Sequence, residues 1–143
     1  MIQFSTFDVP MPDLDFALMR TWIEAVAQEH DRLPGNLNYQ FCSDAHILEA
    51  NRQFLGHDYY TDIITFPWAE GHRISGDMLI SLDTVRTNAA GVGESYGREL
   101  HRVIIHGVLH LCGIDDKGPG QRAVMEAHEN AALALLDKLQ MTN

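Results

Sequence analysis

One apolar stretch near the C-terminal end constrains this chain more than any other. It reads Val103-Ile-Ile-His106-Gly-Val-Leu-His110-Leu111, followed by Cys112-Gly113-Ile114-Asp115-Asp116. At ~100° per residue, a helical His106 and His110 project within ~40° of each other. The surrounding Val103, Ile104, Ile105, Val108, Leu109 and Leu111 predict a helix buried on most sides. Imidazoles in such a place need partners. The plain reading is two core or surface histidines at helical spacing. The sharper one is a divalent metal, which satisfies both rings at once. Gly113 can end the helix in a left-handed turn and return Asp115 or Asp116 to the same ion. Two His and one carboxylate leave a position open for water, as catalytic zinc sites do.

Positions four and seven before His106, Arg102 and Glu99, share its helix face. Arg102 sits one turn below the expected ion, where a guanidinium suits a phosphate or carboxylate. The bland alternative is an exposed helix with Glu99–Arg102 or Arg98–Arg102 surface pairs. Zinc peptidases of the H-E-x-x-H type carry their general base after the first His. That position is Gly107 here, so a base must come from Glu99, Asp115 or the substrate phosphate. Cys112, two residues past His110, points away from the histidine face and reads as a core cysteine. His57, His72, His101 and His128 have no comparable spacing and read as surface or core.

The 143 residues suggest one domain, residues 1–143. Twenty acids against ten bases give a formal charge of −10, which argues against a broad basic surface coating nucleic acid. A local basic cleft is still open, and eight of the ten bases are Arg, the better phosphate ligand. No apolar run approaches a membrane helix, and Met1–Asp8 does not read as a secretion signal. Two cysteines, Cys42 and Cys112, suggest free thiols in a reducing compartment.

Strands are expected at Ile2–Phe7, Leu37–Cys42, Asp62–Phe66 and Gly76–Ser81. Helices are expected from Asp13 to about His30, from Ser43 or Asp44 to Gly56, from Asp83 to about Gly91, from Glu94 to Leu111, and from Gln121 to about Leu139. Leu33-Pro-Gly35 reads as a break. The last helix presents Val124, Ala127, Ala131, Leu135 and Leu139 as its apolar face. Strands early and helices late predict an α+β fold: a small mixed sheet covered by helices, with the metal site on a C-terminal helix.

Three ordered blocks resemble the YbeY endoribonuclease family of bacterial ribosomal RNA maturation factors. The family's H-G-x-L-H-L-x-G-Y-D-H is similar to His106–Asp116. Its D-x-P-T-D-V-L-S-F-P is similar to Asp58–Pro67, and its G-D-I-x-I-S to Gly76–Ser81. The resemblance runs from about residue 36 to 130. It implies a zinc ion held by three histidines, cleavage of single-stranded RNA, and a role in 3′-end maturation of small-subunit (16S) ribosomal RNA and in ribosome quality control. His106 and His110 take the first two ligand positions. Asp116 replaces the third histidine, which makes the ion a weaker Lewis acid and Mn²⁺ a plausible alternative to Zn²⁺. Leu55 stands where the family carries an RNA-facing Arg, with Arg52 one turn earlier as a stand-in, and Tyr60 replaces the usual Pro.

The expectation is therefore a cytoplasmic metal-dependent endoribonuclease with ribosomal RNA and the small ribosomal subunit as partners and no membrane association. His106, His110 and Asp116 bind the metal. Arg102, His106 and His110 are catalytic, and Arg52 and Arg102 bind substrate. Two other readings are a non-enzymatic, metal-stabilised ribosome-assembly factor and a metal-dependent peptide or amide hydrolase, the latter disfavoured by Gly107.

Overall fold

A computed structural model describes residues 1–57, 61–68 and 71–141. The order is β1 (Ile2–Thr6), α1 (Phe16–Glu29), β2 (Leu33–Cys42), α2 (Asp44–Ala50), a π-helical turn (Asn51–Leu55), β3 (Ile63–Pro67), β4 (Arg73–Ser81), α3 (Leu82–Val92), α4 (Tyr96–Leu111) and α5 (Gln121–Met141). The strands form one sheet in the order β1-β2-β4-β3. β1, β2 and β4 run parallel, and β3 is antiparallel to β4. This is the mixed sheet with covering helices that the sequence predicts.

Alternation along the strands divides the core. Leu37, Tyr39 and Phe41 of β2 and Met78 and Ile80 of β4 pack with Trp22, Ile23 and Val26 of α1 and with Ile104, Ile105, Val108 and Leu109 of α4. Leu79 turns the other way, into a smaller cluster of Cys42, Ile47, Ala50 and Ile64 under α2. Both cysteines are free and buried. Two buried donors pin the helices. Tyr39 donates to the Ile104 carbonyl (2.9 Å), and the Trp22 indole to the Ala132 carbonyl (2.8 Å). At Gly107, α4 comes close to the sheet: a Cβ there would lie 2.7 Å from Met78 Sδ and 3.0 Å from Ile63 Cδ1.

Three local expectations are corrected. Asp15, not Asp13, caps α1 by accepting from the Leu18 N–H. Leu33-Pro-Gly35 is the beginning of β2, not a break. β1 starts opposite Leu37, so Pro34 has a strand on one side only and its missing N–H leaves no ladder bond unmade. The core face of α5 is Met125, Glu129, Ala132, Leu133 and Leu136. Val124 is exposed, while Leu135 and Leu139 flank the core partly buried. A glutamate inside the true stripe hid it from hydrophobic periodicity.

Candidate active site

α4 starts cleanly because Ser95 caps it, accepting from the Arg98 N–H at 3.1 Å. Its apolar residues are taken by the core, which leaves Glu99, Arg102 and His106 on the wall of an open cleft of about 840 Å³. At the other end the Ile114 N–H reaches back to the Leu109 carbonyl, and Gly113 takes φ +97°, as its type permits. The following loop decides between the two aspartates. Asp115 Oδ1 accepts from the N–H groups of Asp116 (2.7 Å) and Lys117 (3.2 Å), which ties its carboxylate into the turn and off the cleft wall. Asp116 is turned inward, with Oδ2 3.5 Å from His106 Nε2.

The other ring nitrogen of His106, Nδ1, lies 2.6 Å from Glu129 Oε2 on α5. Arg102 serves the same carboxylate, donating from Nη1 to Glu129 Oε1 at 3.0 Å and from Nη2 to Asn130 Oδ1 at 2.9 Å. Its Nε stands 3.8 Å from Glu99 Oε1. The expected Glu99–Arg102 pair is thus present, but half-buried and part of a wider network.

Carboxylates dominate the cleft. Asp62, Glu94, Glu99, Asp116, Glu126 and Glu129 line it against Arg102 and Arg122. Burial pushes the Asp62 carboxyl up, with the nearby His106 pulling the other way. Burial also raises Glu99; Arg102 opposes this, and Asp62 and Glu129 add to it. Burial alone would depress His106, but the hydrogen bond and charge of Glu129, with Asp116 and Asp62, hold the imidazole above its usual value. The carboxylates that raise His106 favour positive charge at that imidazole.

The spacing bears on a metal. Two ligands about 2.0–2.2 Å from a tetrahedral ion stand roughly 3.4 Å apart, and His106 Nε2 and Asp116 Oδ2 are 3.5 Å apart. This pair fits two positions of a divalent ion, with Glu129 behind the imidazole as carboxylates commonly stand behind ligating histidines. His110, half-buried one turn further along α4, is not among the residues lining the cleft. Among the described residues no three His, Cys, Asp or Glu side chains gather closely enough to hold an ion. Of the three expected ligands, the structure therefore brings together two.

Arg52 lies exposed on the π-helical turn, outside the cleft lining, and Leu55 beside it is exposed. Tyr60, with Asp58 and Tyr59 of the same sequence block, lies outside the described residues. Sequence reasoning missed Glu129 and Asp62. The signal for Glu129 was an acid spaced with Met125, Ala132 and Leu136 on one helical stripe. Asp62 lies within the Asp58–Pro67 sequence block, where no role was expected of it.

Residues 5–137 match the family described as Endoribonuclease YbeY. The chain belongs to the YbeY endoribonuclease family. A protein of Phocaeicola vulgatus named Endoribonuclease YbeY is 60% identical over 136 residues, covering 95% of this chain and 99% of that one. A YbeY relative from Bacteroides thetaiotaomicron is 57% identical over 94% of this chain and 98% of its own. One from Porphyromonas gingivalis is 47% identical over 96% and 91%. A solution structure of a Thermotoga maritima protein shares the fold, with TM-score 0.61 at 24% identity over 96% of this chain and 93% of its own. Among the described residues no helix is long and apolar enough to cross a membrane.

Proposed function

We propose that this chain is a metal-dependent endoribonuclease that cuts single-stranded RNA during 3′-end maturation of small-subunit (16S) ribosomal RNA and ribosome quality control. It acts in the cytoplasm, through one domain of residues 1–143, with the small ribosomal subunit as its partner. Family membership supports the nuclease chemistry. The observation that carries the site is the 3.5 Å edge between His106 Nε2 and Asp116 Oδ2 in a carboxylate-lined cleft.

His106 and Asp116 would hold a zinc or manganese ion, with His110, four residues along the same helix, as the third ligand. A divalent ion there supplies Lewis acidity toward a phosphoryl oxygen and offsets the negative charge of cleft and substrate. The chain's own groups do the rest. Arg102 has guanidinium N–H groups beyond the two given to Glu129 and Asn130, and these reach a phosphate in the cleft. Glu99 and Asp62 line the cleft, and burial raises both carboxyl groups, which makes them the cleft acids most ready to hold or pass a proton. Arg52 binds RNA farther along the strand.

The test is cleavage of a single-stranded RNA by purified, metal-loaded protein. Loss of a ligand should cost more than the ~10–100-fold typical of its supporting partner, so His106→Ala should reduce cleavage by more than about a hundredfold. A wild-type protein that binds metal and the small subunit but leaves RNA intact would favour the non-enzymatic assembly factor instead.

A further inference from the structure

We infer that Glu129 is a positioning residue that fixes the tautomer of His106, and that Arg102 is the strut that holds Glu129 in place. The inference rests on the reading that His106 works in this cleft.

Glu129 sits on the core face of α5, between Met125 and Ala132, with 8% of its surface exposed. A carboxylate buried there is costly unless both oxygens are satisfied. They are, by different residues of α4: Arg102 Nη1 on Oε1 at 3.0 Å, and His106 Nδ1 on Oε2 at 2.6 Å. Position is fixed from both sides. The Trp22 indole holds the Ala132 carbonyl, one turn away on the same helix. Asn130 takes the second arm of the Arg102 guanidinium, so two successive residues of α5 grip one arginine.

An ionised carboxylate only accepts hydrogen bonds. Both ring nitrogens of His106 face carboxylates, and distance separates them. Nδ1 is 2.6 Å from Glu129 Oε2, while Nε2 is 3.5 Å from Asp116 Oδ2, so the shorter contact takes the hydrogen on Nδ1 and leaves the Nε2 lone pair toward Asp116. Without this partner the ring is free to place its hydrogen on Nε2, between itself and Asp116, and the cation-binding edge is lost. An ordinary interhelical ion pair would stabilise α4 against α5 without setting that hydrogen. The tautomer is thus the readout that a merely structural role would not move.

The experiment uses metal-free full-length protein with ¹⁵N-labelled histidine, at alkaline pH where His106 is neutral. Long-range ¹H–¹⁵N spectra should show His106 as the Nδ1–H form. Glu129→Gln should keep it, because the amide oxygen accepts the same hydrogen. Glu129→Ala should move the ring toward Nε2–H, and Arg102→Met should move it part of the way. Zinc affinity, measured by competition with a chromogenic chelator, should fall about 10–100-fold in Glu129→Ala. A wild-type His106 found mainly as Nε2–H overturns the inference, even if every variant fails to fold. So does a tautomer unchanged in a folded Glu129→Ala. Wild-type protein that holds the Nδ1–H form but cuts no RNA supports the positioning role and sinks only the nuclease reading.

Discussion

Two clusters of partly buried carboxylates in this molecule look alike by composition and differ in what surrounds them. Around Asp44, donors are plentiful. Its Oδ1 accepts from the hydroxyls of Ser81 and Thr84, and its backbone N–H is held by Asp83 Oδ2 at 2.9 Å. Ser81 also caps α3, accepting from the Thr84 N–H. The cluster ties the N-terminus of α2 to that of α3, where partial positive charge at both helix ends suits the acids. Around His106 the ratio is reversed. Glu99, Asp116 and Glu129 share one guanidinium and one imidazole, and Asp62 leans on backbone N–H groups beside it. A carboxylate cluster with donors to spare is a clamp; one short of donors is a receptacle for positive charge.

The contrast can be broken by experiment. The largest effect belongs to the donor-poor site. Asp116→Ala should lose bound metal, an affinity drop of more than about a hundredfold as befits a ligand rather than its support. The melting temperature of the metal-free protein should barely change. Metal analysis and a thermal scan check both, and stoichiometric zinc in the purified variant would end the assignment. The donor-rich cluster should respond the other way. Asp44→Ala leaves two hydroxyls without their acceptor and should cost about 1–3 kcal/mol of stability. RNA cleavage per folded molecule should stay at the wild-type rate, as urea melts paired with activity assays would show.

A smaller effect separates the clusters by pH. Burial raises the folded-state carboxyl of Asp62 above its unfolded value of 3.8. Folding therefore favours its neutral form more than the unfolded chain does. Stability from that form is complete below the unfolded value and is lost as pH rises through the higher folded value. Asp62→Asn keeps the neutral shape and should raise the melting temperature of metal-free protein at neutral pH. Near pH 3 the gain should vanish. A gain of equal size at both values would mean that charge is not the cause.

What the sequence made legible follows the same physics. α4 was readable because its apolar residues keep one face while Glu99, Arg102 and His106 keep another. The Leu37–Cys42 strand was readable from its apolar–polar alternation and the Asp62–Phe66 strand from its β-branched, apolar run. Glu129 was not readable, because pattern reasoning assigns acids to solvent and so chose the neighbouring stripe of α5. Its partners lie 23 and 27 residues away, on another helix. The choice of Asp116 over Asp115 came from family resemblance; the structure supplies a local reason in the turn that consumes Asp115. The expected gathering of His110 with that pair depends on side-chain directions that helical spacing alone does not set. Leu33-Pro-Gly35 misled because a proline penalty applies only where a neighbouring strand waits for its N–H.

Gly107 carries a consequence for which reactions this scaffold can host. In an H-E-x-x-H helix the residue after the first histidine is the general base. Here that position faces the sheet, with Met78 Sδ and Ile63 Cδ1 already where a Cβ would go. Met78 is fully buried, so it has no solvent to retreat into. A glutamate placed there would have to lift α4 off its sheet or bury a charge among sulfur and methyl groups. The route from this helix to a zinc peptidase is therefore closed to any single substitution, by the same close packing that holds His106 over the cleft.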